Sequence, residues 1–183
     1  MSRPDEPPLE TPWRGKYVEV RKRGTWEYVG RTGNTRAAVI LAVDDGHVIL
    51  VQQYRVPLGR DCLELPAGLV GDDGVDEADE AAALRELEEE TGYRASGAER
   101  LGEFHSSPGM VTEGFTLVRA TGLTRVSDGG GVDGENITIH RVPIAAIADF
   151  VAKKRAEGVA IDVRLLLLLA PTVLGSDYRK LSE

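Results

Sequence analysis

The stretch GDDGVDEADEAAALRELEEETGY, Gly71 to Tyr93, decides how the rest of the chain is read. Glu77 to Thr91 predicts a helix: it holds three consecutive alanines and strong helix formers throughout, and Gly92 stands where a left-handed C′ residue belongs. On that helix Glu86, Glu89 and Glu90 fall at i, i+3 and i+4, so all three carboxylates share one face. Leu84 and Leu87 fall on another face, available for a core. Like charges at these spacings cost about 0.2–0.5 kcal/mol per pair. They also lie near the helix C-terminus, where the dipole disfavours anions. Local stability does not ask for such an arrangement, but a hard cation bound by oxygen ligands does. Arg85 is placed to pair with a neighbouring carboxylate and fix its rotamer.

A Glu-rich run by itself is usually a solvated helix face. The spacing here is more specific. Gly71 is followed after five residues by Glu77, and after seven more by Arg85-Glu86-Leu87-Glu88-Glu89-Glu90-Thr91-Gly92-Tyr93. Seven fixed residues in that pattern arise by chance about once in a million chains of this size.

Outward from the helix, the flanks read as an α/β chain. Tyr17 to Val20 and Thr25 to Val29 are short β-prone stretches around Arg21-Lys22-Arg23-Gly24, which reads as a hairpin turn. Ala37 to Val43 and His47 to Gln52 predict two apolar strands joined by the turn Asp44-Asp45-Gly46. Pro66-Ala67-Gly68 is expected to end a strand and open a Gly/Asp-rich loop. Strands are expected at 98–105, 114–121 and 136–142, and helices at 143–157 and 161–169, the second more buried. The segment Asp128 to Gly134 reads as a mobile glycine-rich loop.

With 183 residues the chain supports one well-buried core. Hydrophobic residues at 42% and charged residues at 28% suit a soluble globular protein. A formal net charge of −8 argues against nucleic acid or an anionic membrane as partner, and it requires arginines or a metal to hold any anionic substrate. The single Cys62 allows no intramolecular disulfide and points to a reducing cytoplasm. The longest apolar run, Leu165 to Ala170, is far too short to span a bilayer. A serine hydrolase is excluded by the lack of a nucleophile-elbow motif, and no Cys/His cluster suggests zinc.

The Gly71–Tyr93 pattern is similar to the Nudix box at every fixed position. The resemblance extends to Trp26-Glu27-Tyr28, Arg31, Gln52-Gln53-Tyr54-Arg55, Glu64-Leu65-Pro66-Ala67-Gly68 and Gly134-Glu135, which look like the ADP-ribose (ADP-sugar) pyrophosphatase branch. It implies a Nudix α/β/α sandwich with a small N-terminal β extension, the extension often exchanged between two subunits of a homodimer. The expected division is a flexible tail over 1–14, the β extension over 15–35, the hydrolase domain over 36–175 and a C-terminal tail over 176–183.

By the same resemblance Glu86, Glu89, Glu90 and the Ala67 carbonyl become ligands of Mg²⁺, with Mn²⁺ a substitute. Glu135 matches the residue that activates water, with Arg85 and Glu89 completing the catalytic group. Arg31 and Arg55 match contacts to the diphosphate or terminal ribose. Trp26 and Tyr17 match residues that stack on adenine, Glu27 one that binds its edge, and Glu64 a substrate-contacting carboxylate. Met110 belongs to a loop, His105 to Glu113, that resembles the branch's substrate-side Ser-Pro-Gly segment. The branch counts its five-residue gap from the glycine matching Gly68, so the loop here is three residues longer, through Leu69-Val70-Gly71 or Asp72-Asp73-Gly74. The activity implied is Mg²⁺-dependent hydrolysis of ADP-ribose to AMP and ribose 5-phosphate. The alternatives are another nucleoside diphosphate sugar such as a GDP-hexose, or a non-catalytic ADP-ribose sensor; the complete box and the lack of a basic helix-turn-helix speak against the sensor.

Overall fold

The computed structural model of the chain describes residues 6–33, 36–71, 78–131 and 135–174. Its centre is a sheet whose strands alternate in the side they bury. β4 (Arg36–Asp44) sends Val39 to one face and Ala38, Ile40 and Ala42 to the other; β5 (His47–Arg55) sends Val48 and Leu50 one way and Ile49 the other. Period-2 alternation with both sets apolar means both faces are covered. On one face α1 (Asp79–Thr91) packs Ala82, Ala83 and Leu87 against Ile40, Ile49 and Val118. On the other, α2 (Ile147–Ala156) and α3 (Leu166–Leu174) cover Val39, Leu50, Leu63 and Leu117 with Ile147, Val151 and Leu169. This is the expected α/β/α sandwich.

The strand order is β11 (Ala160–Ile161), β6 (Arg60–Glu64), β5, β4, β9 (Gly114–Arg125), β8 (Tyr93–His105). β10 (Thr138–Pro143) pairs with β5, and β7 (Ala67–Val70) pairs with β4. The β4–β9 and β11–β6 pairs are parallel and the others antiparallel. The β4–β5 turn forms where Asp44-Asp45-Gly46 predicts it, with Asp45 at φ 45° and Gly46 at φ 68°. At the end of α1, Gly92 adopts φ 72° and donates its N–H to the Glu88 carbonyl.

Four local expectations are corrected. Leu9–Arg14 is not a frayed tail but β1, antiparallel to β2 (Val18–Arg23), because the open edge of β2 offers amides that need partners. Arg14 and Arg21 then clamp Glu19, which is 4% exposed and whose carboxyl is held below its ordinary range, first by Arg21 and then by Arg14. Ala67–Val70 is a strand rather than the start of a loop, since the first half of β4 still has an unpaired edge there. The helix expected from 143 begins as a 3₁₀ turn over Ile144–Ala146. The helix expected over 161–169 is divided into β11, a 3₁₀ turn over Val163–Leu165 capped by Asp162, and α3.

β1, β2 and β3 (Trp26–Arg31) form a separate antiparallel sheet. It meets the core where Val29 bridges Val111, with its N–H on the Met110 carbonyl and its carbonyl receiving the Thr112 N–H. No described helix is long and apolar enough to cross a membrane.

Cys62 lies in β6 at 4% exposure, and burial, with Glu64 nearby, pushes its thiol up to about 12. The thiolate is the reactive species. Native protein is therefore expected to react with Ellman's reagent at least ~100-fold more slowly than a free thiol, and denaturant should release full reactivity. Rapid labelling of folded protein would contradict this placement.

Candidate active site

The acidic face of α1 is oriented by Glu90. Its side chain is driven inward beside the core residues Leu87 and Thr91, to 6% exposure, and its carboxylate accepts the backbone N–H of Ala67 at 3.1 Å. Burial raises the Glu90 carboxyl to about 8; the Ala67 N–H opposes the rise, Glu86 and Glu135 add to it, and Arg55 opposes it. Those influences bring Glu86, Glu90, Glu135 and Arg55 into one neighbourhood. Ala67, expected as a ligand through its carbonyl, meets Glu90 through its N–H.

Glu86 lies over Gly68. A Cβ at Gly68 would fall on the Glu86 carboxyl group, so only glycine leaves room for the carboxylate there. Arg85 pairs with Glu86 at 3.0 Å and with Glu89 at 3.2 Å, and its other terminal nitrogen reaches the Leu69 carbonyl at 3.4 Å. Glu89 is at the rim, its side chain 41% exposed.

The far end of the face is closed by glycines. Gly130 donates its N–H to the Glu90 carbonyl at 2.8 Å and Gly131 donates to the Glu89 carbonyl at 3.0 Å, satisfying acceptors that a helix end leaves open. A Cβ on Gly129, at φ 64°, would run into the backbone of Thr91 and Gly92. The loop expected to swing over 128–134 is therefore fastened to α1 over Gly129–Gly131, while residues 132–134, Gly134 among them, lie outside the described residues. Gly131 also makes room for Glu135, since a Cβ there would meet the Glu135 carboxylate. Glu77 and the Asp72-Asp73-Gly74 alternative for the longer loop likewise fall outside the described residues. Leu69 and Val70 are taken up in β7.

Arg55 and Glu64 stand beside this face. Arg55 donates through Nε at 2.6 Å and Nη2 at 2.7 Å to the two oxygens of Glu64, a bidentate pair that raises the arginine's proton affinity. Glu64 is 2% exposed, so it is an internal partner of Arg55 rather than a surface that a ligand reaches directly.

The remaining expected residues are elsewhere. Trp26 and Glu27 are exposed on β3 of the three-stranded sheet, and Tyr17 is exposed in the bend between β1 and β2. Arg31, on the same sheet, pairs with Glu113 at 2.8 Å, and Met110 is exposed on its loop. Trp26, Tyr28, His105, Pro108, Val111 and Thr112 line a groove of about 1060 Å³. The hollow bounded by Arg85, Glu89 and Gly131 shares none of its lining. Within this chain the groove at Trp26 and the hollow at Glu89 are thus lined by different residues.

The donor chemistry of the face fits a divalent cation. It offers carboxylate oxygens from one helix, one of them buried among like charges that a cation would neutralise. As placed, no three His, Cys, Asp or Glu side chains among the described residues are gathered tightly enough to hold an ion. Arg85 serves as counter-charge to Glu86 and Glu89 in this arrangement, a place a cation would take.

The family model for the NUDIX domain matches residues 33–157, most of the chain. The chain is a Nudix hydrolase. A GDP-mannose pyrophosphatase of Cronobacter sakazakii is 34% identical over 146 residues, covering 75% of this chain and 72% of that protein. The mouse ADP-sugar pyrophosphatase is 47% identical over 138 residues, 67% of this chain and 61% of that one. A crystal structure of an ADP compounds hydrolase matches with a TM-score of 0.67 at 27% identity, over 83% of this chain and 84% of that chain. The Nudix fold and the branch resemblance read from the residues agree with these relatives.

Two residues of the site neighbourhood escaped sequence reasoning. Arg164 bonds Glu64 and is itself held by Asp162, and the available signal was an arginine placed directly before an apolar helix. Gly68 gives a direct test of the acidic face. Because the side chain that a Cβ would strike is flexible, Gly68→Ala is expected to cost little stability yet displace Glu86. Hydrolysis should fall at least tenfold, with the melting temperature lowered by no more than about 4 °C. Unchanged turnover in a folded variant would separate Glu86 from the reaction.

Proposed function

We propose that the chain hydrolyses the diphosphate bond of ADP-ribose, giving AMP and ribose 5-phosphate, with Mg²⁺ held at the Glu86, Glu89 and Glu90 carboxylates and the Ala67 carbonyl. The observation that carries this reading is the buried Glu90 carboxylate, crowded by Glu86 and Glu135 and pushed up to about 8, a cost that a bound cation would offset. Bound there, the metal would supply Lewis-acid polarisation and charge neutralisation at the diphosphate. Arg55, its Nε and Nη2 taken by Glu64, turns Nη1 toward the phosphates. Glu135, exposed beside the buried face, accepts the proton of the attacking water. The water oxygen bonds to phosphorus, the bridging P–O bond breaks, and the two monophosphates leave.

A GDP-hexose is the second reading, supported by the Cronobacter relative named for GDP-mannose. A Mg²⁺-dependent assay over a panel of nucleotide sugars separates the two: AMP release from ADP-ribose should exceed release from every GDP-sugar. Greater turnover of a GDP-sugar reassigns the substrate, and no metal-dependent turnover of any nucleotide sugar sinks the reading. With the substrate fixed, Glu135→Gln should lower kcat by roughly 10²-fold, the scale of a lost general base, with little change in affinity. Lost affinity at unchanged kcat would make Glu135 a binding residue and move the base to Glu89.

The exposed Tyr17, Trp26 and Glu27 serve as the purine site, with Arg31 and Met110 beside the sugar and phosphates. The groove at Trp26 and the hollow at Glu89 share no lining residue, which supports a homodimer in which the three-stranded sheet of one copy completes the site of the other. A cytoplasmic setting suits the reduced Cys62. Sedimentation at micromolar protein is expected to give a dimer; a fully active monomer would overturn the shared site.

A further inference from the structure

Glu64 receives more than Arg55. Arg164 Nη2 reaches Glu64 Oε2 at 3.2 Å, the same oxygen that takes Arg55 Nη2 at 2.7 Å. Arg164 is in turn fixed by Asp162, which shares the same Nη2. Its Nε and Nη2 form a fork on Asp162 Oδ1 and Oδ2 at 2.6 and 2.7 Å, and its backbone N–H donates to Oδ1 at 2.7 Å. The guanidinium lies over the Phe115 ring, 5.8 Å from its centre. Asp162 is delivered by the short parallel pairing of Ala160 and Ile161 with Cys62 and Leu63, and its N–H bonds the Leu63 carbonyl at 3.0 Å. Leu165, fully buried, pins the turn behind it.

The four groups alternate in sign, Asp162, Arg164, Glu64, Arg55, and their formal charges cancel. Such a chain adds no net attraction for an anion; what it sets is direction. A carboxylate at 2% exposure with a single partner could rotate with that partner, whereas one fixed from two sides holds its plane. The plane of Glu64 sets the plane of the Arg55 guanidinium, because their contact is a two-point fork. With Nε and Nη2 of Arg55 both on Glu64, the direction of its Nη1 is fixed by the plane of that carboxylate.

We propose that Arg164, held by Asp162, is a positioning residue that locks Glu64 and thereby aims Arg55 at the diphosphate of the substrate. In this assignment Arg164 and Glu64 act through Arg55. The assignment rests on the diphosphate-binding reading of the site, and the test contains one arm that does not.

In the first arm, Arg164→Met should raise KM for ADP-ribose about tenfold with kcat changed less than about threefold, the pattern of a lost ground-state contact. Arg164→Lys should recover only part of the loss, since an ammonium restores charge but not the fork. In an Arg55→Ala background, Arg164→Met should change KM by less than about twofold, because the residue it acts through is gone. An equal factor in both backgrounds overturns the proposal, as does an unchanged KM in a folded Arg164→Met protein. The second arm needs no substrate: Nε–H exchange of Arg55, followed by ¹⁵N NMR, should be slow in the wild type and accelerate in Arg164→Lys. Exchange unaffected by Arg164→Lys overturns the proposal. If the wild type hydrolyses no nucleotide sugar, the functional reading fails while this arm still decides whether Arg164 holds Arg55. Should Arg164→Met fail to fold, Arg164→Lys carries both arms.

Discussion

The hydrogen bond from the Ala67 N–H to the Glu90 carboxylate joins the acidic helix to the strand beside it, and the orientation of the site follows from it. A carboxylate taken out of water needs a donor, and the first residue of β7 provides one. Glu90 is thereby turned inward, which leaves Glu86 over Gly68 and Glu89 at the rim. Had Glu90 faced solvent, the helix would be rotated and the three carboxylates would present an ordinary solvated face.

That bond holds because α1 is fixed at both ends. At the start of the helix, Asp79 accepts the Thr116 hydroxyl at 2.6 Å and pairs with Arg36 at 3.0 Å, tying it to β9 and β4. At the end, Gly92 reverses the chain and the Gly130 and Gly131 amides cap the last carbonyls. Underneath, Ala82, Ala83 and Leu87 are fully buried, and small alanines let the helix sit close to the sheet. The apolar side of α1 thus sets the distance and its polar termini set the register. The quartet from Asp162 to Arg55 does for the arginine what these contacts do for the carboxylates.

Features governed by local chemistry were legible in the sequence. The acidic face, the Gly92 cap and the Asp44–Gly46 turn each depend on a few consecutive residues, and all three appear where expected. The two-sided burial of β4 and β5 could be read from their continuous apolar runs. What could not be read were elements that exist through a distant partner. β1 needs the edge of β2, β7 the start of β4, and β11 the end of β6. A strand of two residues has no periodicity to detect. For the same reason Glu64 was expected to face the ligand: its sequence neighbours do not reveal that Arg164, a hundred residues on, meets it from inside. The fastening of Gly129–Gly131 to α1 was hidden too, because glycine runs look mobile until their amides find acceptors.

The separate three-stranded sheet has an optical consequence. The chain has two tryptophans, and Trp13 and Trp26 both lie on that sheet, 55% and 62% exposed. Light absorbed at the red edge of the protein spectrum therefore excites the extension alone, while the sandwich with its acidic helix is dark at that wavelength. Emission colour and quenching become a private signal from the extension, sensitive to whatever covers those rings. The catalytic body has to be followed by other means, through its tyrosines or its backbone dichroism.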